Sequence, residues 1–148
     1  MLFVAISAAV LGIGVATGTF LQPSGSATSG DSGRVSEGKV VYERHCASCH
    51  GAKLEGQPNW QVRKPDGRLP APPHDASGHT WHHPDKVLVG LIEHGPAPYA
   101  PAGYLSDMPG FRGVLSEEQI GDVLAYIKST WPPEVQRRQR LISERAGQ

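Results

Sequence analysis

The sequence predicts an all-α domain of about three main helices, preceded by an apolar helix at the N-terminus. Three observations predict it. Apolar residues recur at helical spacing in DKVLVGLIEH and in EEQIGDVLAYI. Each of these runs carries its own start and stop signals, and no segment upstream of residue 46 reads as a buried strand.

In chain order, residues 2–21, LFVAISAAVLGIGVATGTFL, contain no charge, and about 20 apolar residues suffice to cross a bilayer. A retained anchor is the reading taken. A signal peptide cleaved after Ala27, with Gly25 at the other small position, stays open as the rival. Either way the domain lies outside the cytoplasm. Residues 22–34, rich in Ser and Gly, read as a flexible linker with a coil reach of about 20 Å. Ser36 then offers a cap for a first helix starting at Glu37, with Val40, Val41 and Tyr42 on its apolar side.

Residues 52–83 are harder to pattern. NWQVRKPDGRLPAPP suggests two short extended runs joined by a KPDG turn, with Trp60 and Val62 available to cover an apolar surface. The second helix follows Pro84, with Asp85 at its positive end, Val87, Leu88, Leu91 and Ile92 on one face, and Gly95 as a left-handed stop. The third starts from Ser116, where Gln119 completes a capping box; Ile120, Val123, Leu124 and Ile127 form its stripe, and Pro132 and Pro133 end it. Residues 132–148 read as a basic C-terminal tail containing a short exposed helix, with Arg137, Arg138, Arg140 and Arg145 set against Glu134 and Glu144. Solvated surface is the plain expectation; docking to an acidic partner or to anionic lipid is the other.

The only cysteines, Cys46 and Cys49, lie in HCASCHG and are followed at once by His50. Three chemistries use this spacing. Zinc needs four ligands and there is no second pair, although His79, His82 and His83 lie downstream. A redox dithiol needs a helix following a strand. Covalent haem attachment has C-x-x-C-H as its signature, with two thioethers fixing the porphyrin and the adjacent imidazole reaching the iron. This last reading requires a second axial ligand far along the chain. Apart from the initiator the chain has one methionine, Met108, in SDMPGF. A lone Met is usually a core gap-filler, but Pro109 biases Met108 toward extended backbone and no amphipathic face surrounds it.

With these residues in view, the chain resembles a class I c-type cytochrome over roughly residues 35–131. GKVVYERHCASCHG resembles that family's first helix running into its haem motif, with Gly38 and Tyr42 where the first helix meets the last. VLAYIKSTW, with Tyr126, resembles the last helix, and MPGF resembles the distal methionine loop. APPH resembles the segment whose proline carbonyl accepts a hydrogen bond from the proximal imidazole, which makes Pro72 the candidate. The resemblance implies a cytochrome c-like fold with one haem c bound through Cys46 and Cys49 and iron ligated by His50 and Met108. The implied function is single-electron carriage, not enzymatic turnover, in a bacterial periplasmic or membrane-surface redox chain. The location is the inner membrane facing the periplasm, or the periplasm itself if the N-terminus is removed. Donor and acceptor would be redox proteins, such as membrane respiratory or dehydrogenase complexes, with a membrane contact through residues 2–21 if these are uncleaved.

Three other readings stay open. The domain could be the haem c subunit of a larger dehydrogenase or oxidase, a haem-based ligand sensor, or a peroxidase formed on loss of Met108. His74, His79, His82 and His83 could bind copper or nickel, contact a haem propionate or displace Met108; each also has an ordinary structural explanation. His45 reads as a solvent-facing helix residue. Fourteen Lys and Arg balance fourteen Asp and Glu, so nothing favours nucleic-acid binding.

Overall fold

A computed structural model describes residues 29–147. The predicted apolar N-terminal helix and the linker up to residue 28 lie outside the described residues. Among the described residues five α-helices follow one another: α1 (Ser29–His45), the single turn α2 (Ala47–His50), α3 (Asp85–His94), α4 (Glu117–Ser129) and α5 (Pro133–Ala146). Single 3₁₀ turns stand at Thr80–His82 and Ala97–Tyr99. The described residues hold no strand, only an isolated bridge between Arg112 and Leu115. None of their helices is long and apolar enough to cross a membrane.

Packing of α1 against α4 organises the core. Gly38 on α1 is buried, and its missing side chain lets the helix backbone rest on the Asp122 carbonyl of α4. Val41 and Tyr42 turn inward from α1 to meet Ile120, Val123 and Ile127. The Tyr42 ring lies 5.4 Å from that of Tyr126, and its hydroxyl donates to the Gly51 carbonyl at 2.9 Å. Burial raises the Tyr42 pKa, so the hydroxyl stays a donor. The capping box of α4 is complete: Ser116 Oγ accepts from the Gln119 N–H at 3.2 Å, and Gln119 Oε1 accepts from the Ser116 N–H at 2.9 Å.

Four sequence expectations need correction. First, α1 begins at Ser29, not at Glu37. Its added turns carry no apolar stripe; the Arg34 guanidinium, bonded to the buried Asp122 carboxylate at 2.8 Å, ties them to α4. Ser36 therefore caps nothing, and its hydroxyl donates to the Gly33 carbonyl. Second, the two extended runs around KPDG do not form a hairpin. The turn is present, with the Gly67 N–H bonded to the Lys64 carbonyl at 2.9 Å and the Lys64 N–H to the Arg68 carbonyl at 2.8 Å. Prolines 65, 70, 72 and 73 supply no further ladder donors. Val62 covers nothing, being 63% exposed, while Trp60 stacks on His79 at 5.5 Å.

Third, His83, whose place before Pro84 suggests a helix cap, supplies none: α3 is bounded by Pro84 and Gly95 (φ 72°) and has no side-chain cap. The N–H of Asp85 donates instead to Ser143 Oγ, at 3.0 Å, across from α5. Fourth, α5 is the largely exposed helix expected of the C-terminal tail, but it is docked on the domain through one face. Gln139 on it is 1% exposed. Its amide donates to the His83 carbonyl, to Ser143 Oγ and to the Asp85 carboxylate. Lys128 of α4 reaches the same carboxylate at 2.6 Å. The Arg138 guanidinium lies 4.9 Å from the Trp81 ring centroid.

Candidate functional site

The site grows out of the end of α1. Cys46 follows His45 with its N–H still bonded to the Tyr42 carbonyl at 2.8 Å, and the chain turns directly into α2. This places Cys46 half-buried, Cys49 exposed and His50 buried at the last position of the turn. No disulfide joins Cys46 and Cys49. Burial, with the neighbouring Cys49 charge second, pushes the Cys46 thiol up to about 11. A Cys46 thiol raised in this way is the opposite of the lowered pKa that activates a redox dithiol.

His50 is held by the backbone of the proline-rich segment. The Gly56 N–H bonds the His50 carbonyl and the Gln57 N–H bonds the Ala71 carbonyl, both at 2.8 Å, which folds residues 70–73 back over α2. Nδ1 of His50 then lies 2.8 Å from the Pro72 carbonyl oxygen. A carbonyl can only accept, so Nδ1 carries the proton and Nε2 keeps its lone pair. Burial lowers the pKa of this imidazole, opposed in part by the Pro72 bond. The ring is thereby kept neutral, as a metal ligand must be.

His74, one of four histidines that the sequence offers as a propionate contact or substitute ligand, stacks its ring on that of His50 with centroids 4.0 Å apart. Nδ1 of His74 meets Thr80 Oγ1 at 2.9 Å, and Trp131 Nε1 donates to the His74 carbonyl at 2.7 Å. Burial, then the neighbouring imidazoles His50 and His79, push His74 down to about 3. Its position two residues after Pro72 was the only hint of this stack. Of the remaining histidines, His79 pairs with the Trp60 ring, and His82 with that of Trp81 at 3.7 Å. His45 is half-buried and meets the Phe111 ring edge-on at 6.1 Å, contrary to the solvent-facing expectation. Among the described residues no group of three or more His, Cys, Asp or Glu is arranged to hold a metal ion.

Met108 sits on a different segment. It is half-buried, and its N–H donates to Ser106 Oγ at 3.0 Å. Beyond it, the Phe111 and Arg112 N–H groups bond the Ile92 and Glu93 carbonyls at 2.9 and 3.0 Å, tying this segment to the end of α3. Before it, Asp107 is gripped by Lys64 and Arg68 from the KPDG turn, a contact with no signal in the sequence.

The residues present fit a covalently bound haem. Two cysteines stand on one helical turn, the Cys46 thiol with a raised pKa, and a buried neutral imidazole beside them keeps a free ring nitrogen. The comparisons agree. The family model for cytochrome c matches residues 35–131. Cytochrome c-555 of Prosthecochloris aestuarii is 33% identical over 98 residues, covering 63% of this chain and 84% of that protein. No solved structure matches. With C-A-S-C-H inside the matched span, carrying haem c on Cys46 and Cys49, this chain belongs to the cytochrome c family of haem electron-transfer proteins.

Proposed function

We propose that this family member is a single-electron carrier with its iron held between His50 and Met108, passing electrons between redox proteins on the outer side of a bacterial inner membrane. The observation that carries the ligand assignment on one side is the 2.8 Å contact between His50 Nδ1 and the Pro72 carbonyl. It keeps the proton on Nδ1, fixes the ring plane and raises the basicity of Nε2, as outer-shell partners of metal-bound imidazoles do.

When bound, the haem supplies a one-electron couple. Everything else falls to the chain. His50, buried at the end of α2, presents a neutral nitrogen and excludes water from its side. Met108 offers a soft thioether, which favours the reduced state more than a second imidazole would. With both ligands from protein, no position is left for substrate, which supports carriage over turnover. Cys49 is exposed, and Ser48 beside it too, so this edge of the site is where a small and short-lived docking contact would form.

The Met108→Ala variant tests the reading. Its ferric spectrum is expected to move toward a high-spin or altered-ligand form, and its reduction potential to fall. An unchanged spectrum would remove Met108 from the iron. For location, N-terminal sequencing of protein from the membrane fraction is expected to return the intact apolar run, 2–21; a chain starting near Thr28 makes the carrier periplasmic. Accumulation of the unprocessed protein in the cytoplasm would overturn both placements.

A further inference from the structure

The segment carrying Met108 has no α-helix between Gly95 and Ser116, and its fixed points are few. Its far end is bonded to the C-terminal turn of α3 through Phe111 and Arg112. Its near end has local bonds, of which Tyr104 N–H to the Pro101 carbonyl is one, and one long-range grip from the KPDG turn. Lys64 Nζ lies 2.6 Å from Asp107 Oδ2, and Arg68 Nε lies 2.9 Å from Asp107 Oδ1. The Arg68 Nε–H is not aimed at that oxygen, so the second contact is Coulombic and not a hydrogen bond. The Arg63 guanidinium sits 5.6 Å from the Tyr104 ring centroid, and Leu105 reaches to the side of Gly67 that lacks a side chain. Asp66, at 3.4 Å from Arg68, completes the charge set on the turn. Asp107 is the residue immediately before Met108.

We propose that Lys64 and Arg68 are positioning residues for Met108: through Asp107 they clamp its loop, so that the thioether is held in ligating position and its release from iron is suppressed. The proposal rests on the ligand assignment above. The loop beyond Met108 is fixed by main-chain bonds that no side-chain change removes. The stretch before it can swing away once the grip on Asp107 is lost, and pinning it lowers the entropy lost when the sulfur binds. Single exposed ion pairs contribute little, but two cations sharing one carboxylate, beside a cation–π contact, act on the same short segment. Because these groups are partly exposed, the grip should weaken as salt screens it.

Imidazole titration of the ferric holoprotein reads the loop directly, since an added imidazole binds only when Met108 has let go, and its apparent affinity reports the released fraction. Asp107→Asn is expected to tighten imidazole binding by roughly three- to tenfold. The Lys64→Gln/Arg68→Gln double variant is expected to do the same, and combining all three changes should add little more. Raising the salt should tighten binding in the parent protein and leave the variants almost unmoved. Lys39→Gln, which breaks an ion pair with Glu43 on α1, serves as control and should change neither. If Asp107→Asn fails to fold, the double variant carries the test. A fall in melting temperature with unaltered imidazole affinity and salt response would mean a purely structural contact and overturn the clamp. If Met108→Ala itself leaves spectrum and imidazole affinity unchanged, the ligand assignment falls first, and the clamp with it.

Discussion

Gly38→Ala is expected to destabilise the protein by about 3 kcal/mol, against the sign that helix propensity alone would give. In an ordinary exposed helix the change stabilises, because glycine loses more freedom on folding than alanine. At Gly38 a methyl group would overlap the Asp122 carbonyl of α4 and come within 3.0 Å of Tyr126 Cβ. The obstacle is backbone, so no rotamer relieves it, and α1 must move off α4. That movement would loosen Tyr42 and Val123, both fully buried at the same seam. Gly33, on the same helix with nothing within 4 Å of an added Cβ, supplies the opposite outcome: Gly33→Ala should stabilise by roughly 0.5–1 kcal/mol. Denaturant titration of the two holoproteins checks both. Equal effects of either sign would mean that close approach of α1 and α4 does not govern stability.

A chain ending at Pro132 is expected to lose about 3–5 kcal/mol, read as a fall of roughly 10–20 °C in melting temperature. Truncation strips the cover from Trp131, which is 3% exposed, and removes Val135 from the core. It also leaves the first N–H of α3 without Ser143, and Asp85 with Lys128 as its only partner of the three. A melting temperature within a degree or two of the parent would return α5 to the status of a solvated tail. Acid should act on the same junction. Burial raises the Asp85 pKa, but its bonds to Lys128, Gln139 and Ser143 outweigh this and leave it below the ordinary carboxylate value. A carboxylate depressed on folding stabilises above its unfolded pKa, and that contribution disappears as pH falls through the folded one. The docking of α5 should therefore weaken only below about pH 4, and modestly, because Asp85 is half exposed.

Much of this was legible in the sequence for a physical reason: the signals lay within a few residues of each other. The capping box of Ser116 and Gln119, the Gly95 stop and the stripe from Ile120 to Ile127 are short-range features, and the structure has them where the spacing puts them. The family resemblance over residues 35–131 stands on equally local motifs. What escaped depends on polar contacts between distant residues. The early turns of α1 look like linker because the ion pair that ties them to α4 spans 88 positions. The docking of α5 is hidden because its most buried residue is a glutamine, which sequence reading places in water. The stack of His74 on His50 and the grip on Asp107 likewise join separate loops, and no periodicity announces either.

The partner of the His50 ring proton is a main-chain oxygen, and this has a bearing on how the protein can vary. Replacing Pro72 changes a side chain but leaves a carbonyl in place, so no single substitution deletes the acceptor. Drift in electron affinity through that bond must come from displacing the backbone. The tightest neighbour there is Gly56, where an added Cβ would lie 2.6 Å from the Pro72 carbonyl carbon and 2.5 Å from the Pro73 nitrogen. A bulkier group at position 56, itself no iron ligand, would thus retune the imidazole by shifting the proline segment that faces it.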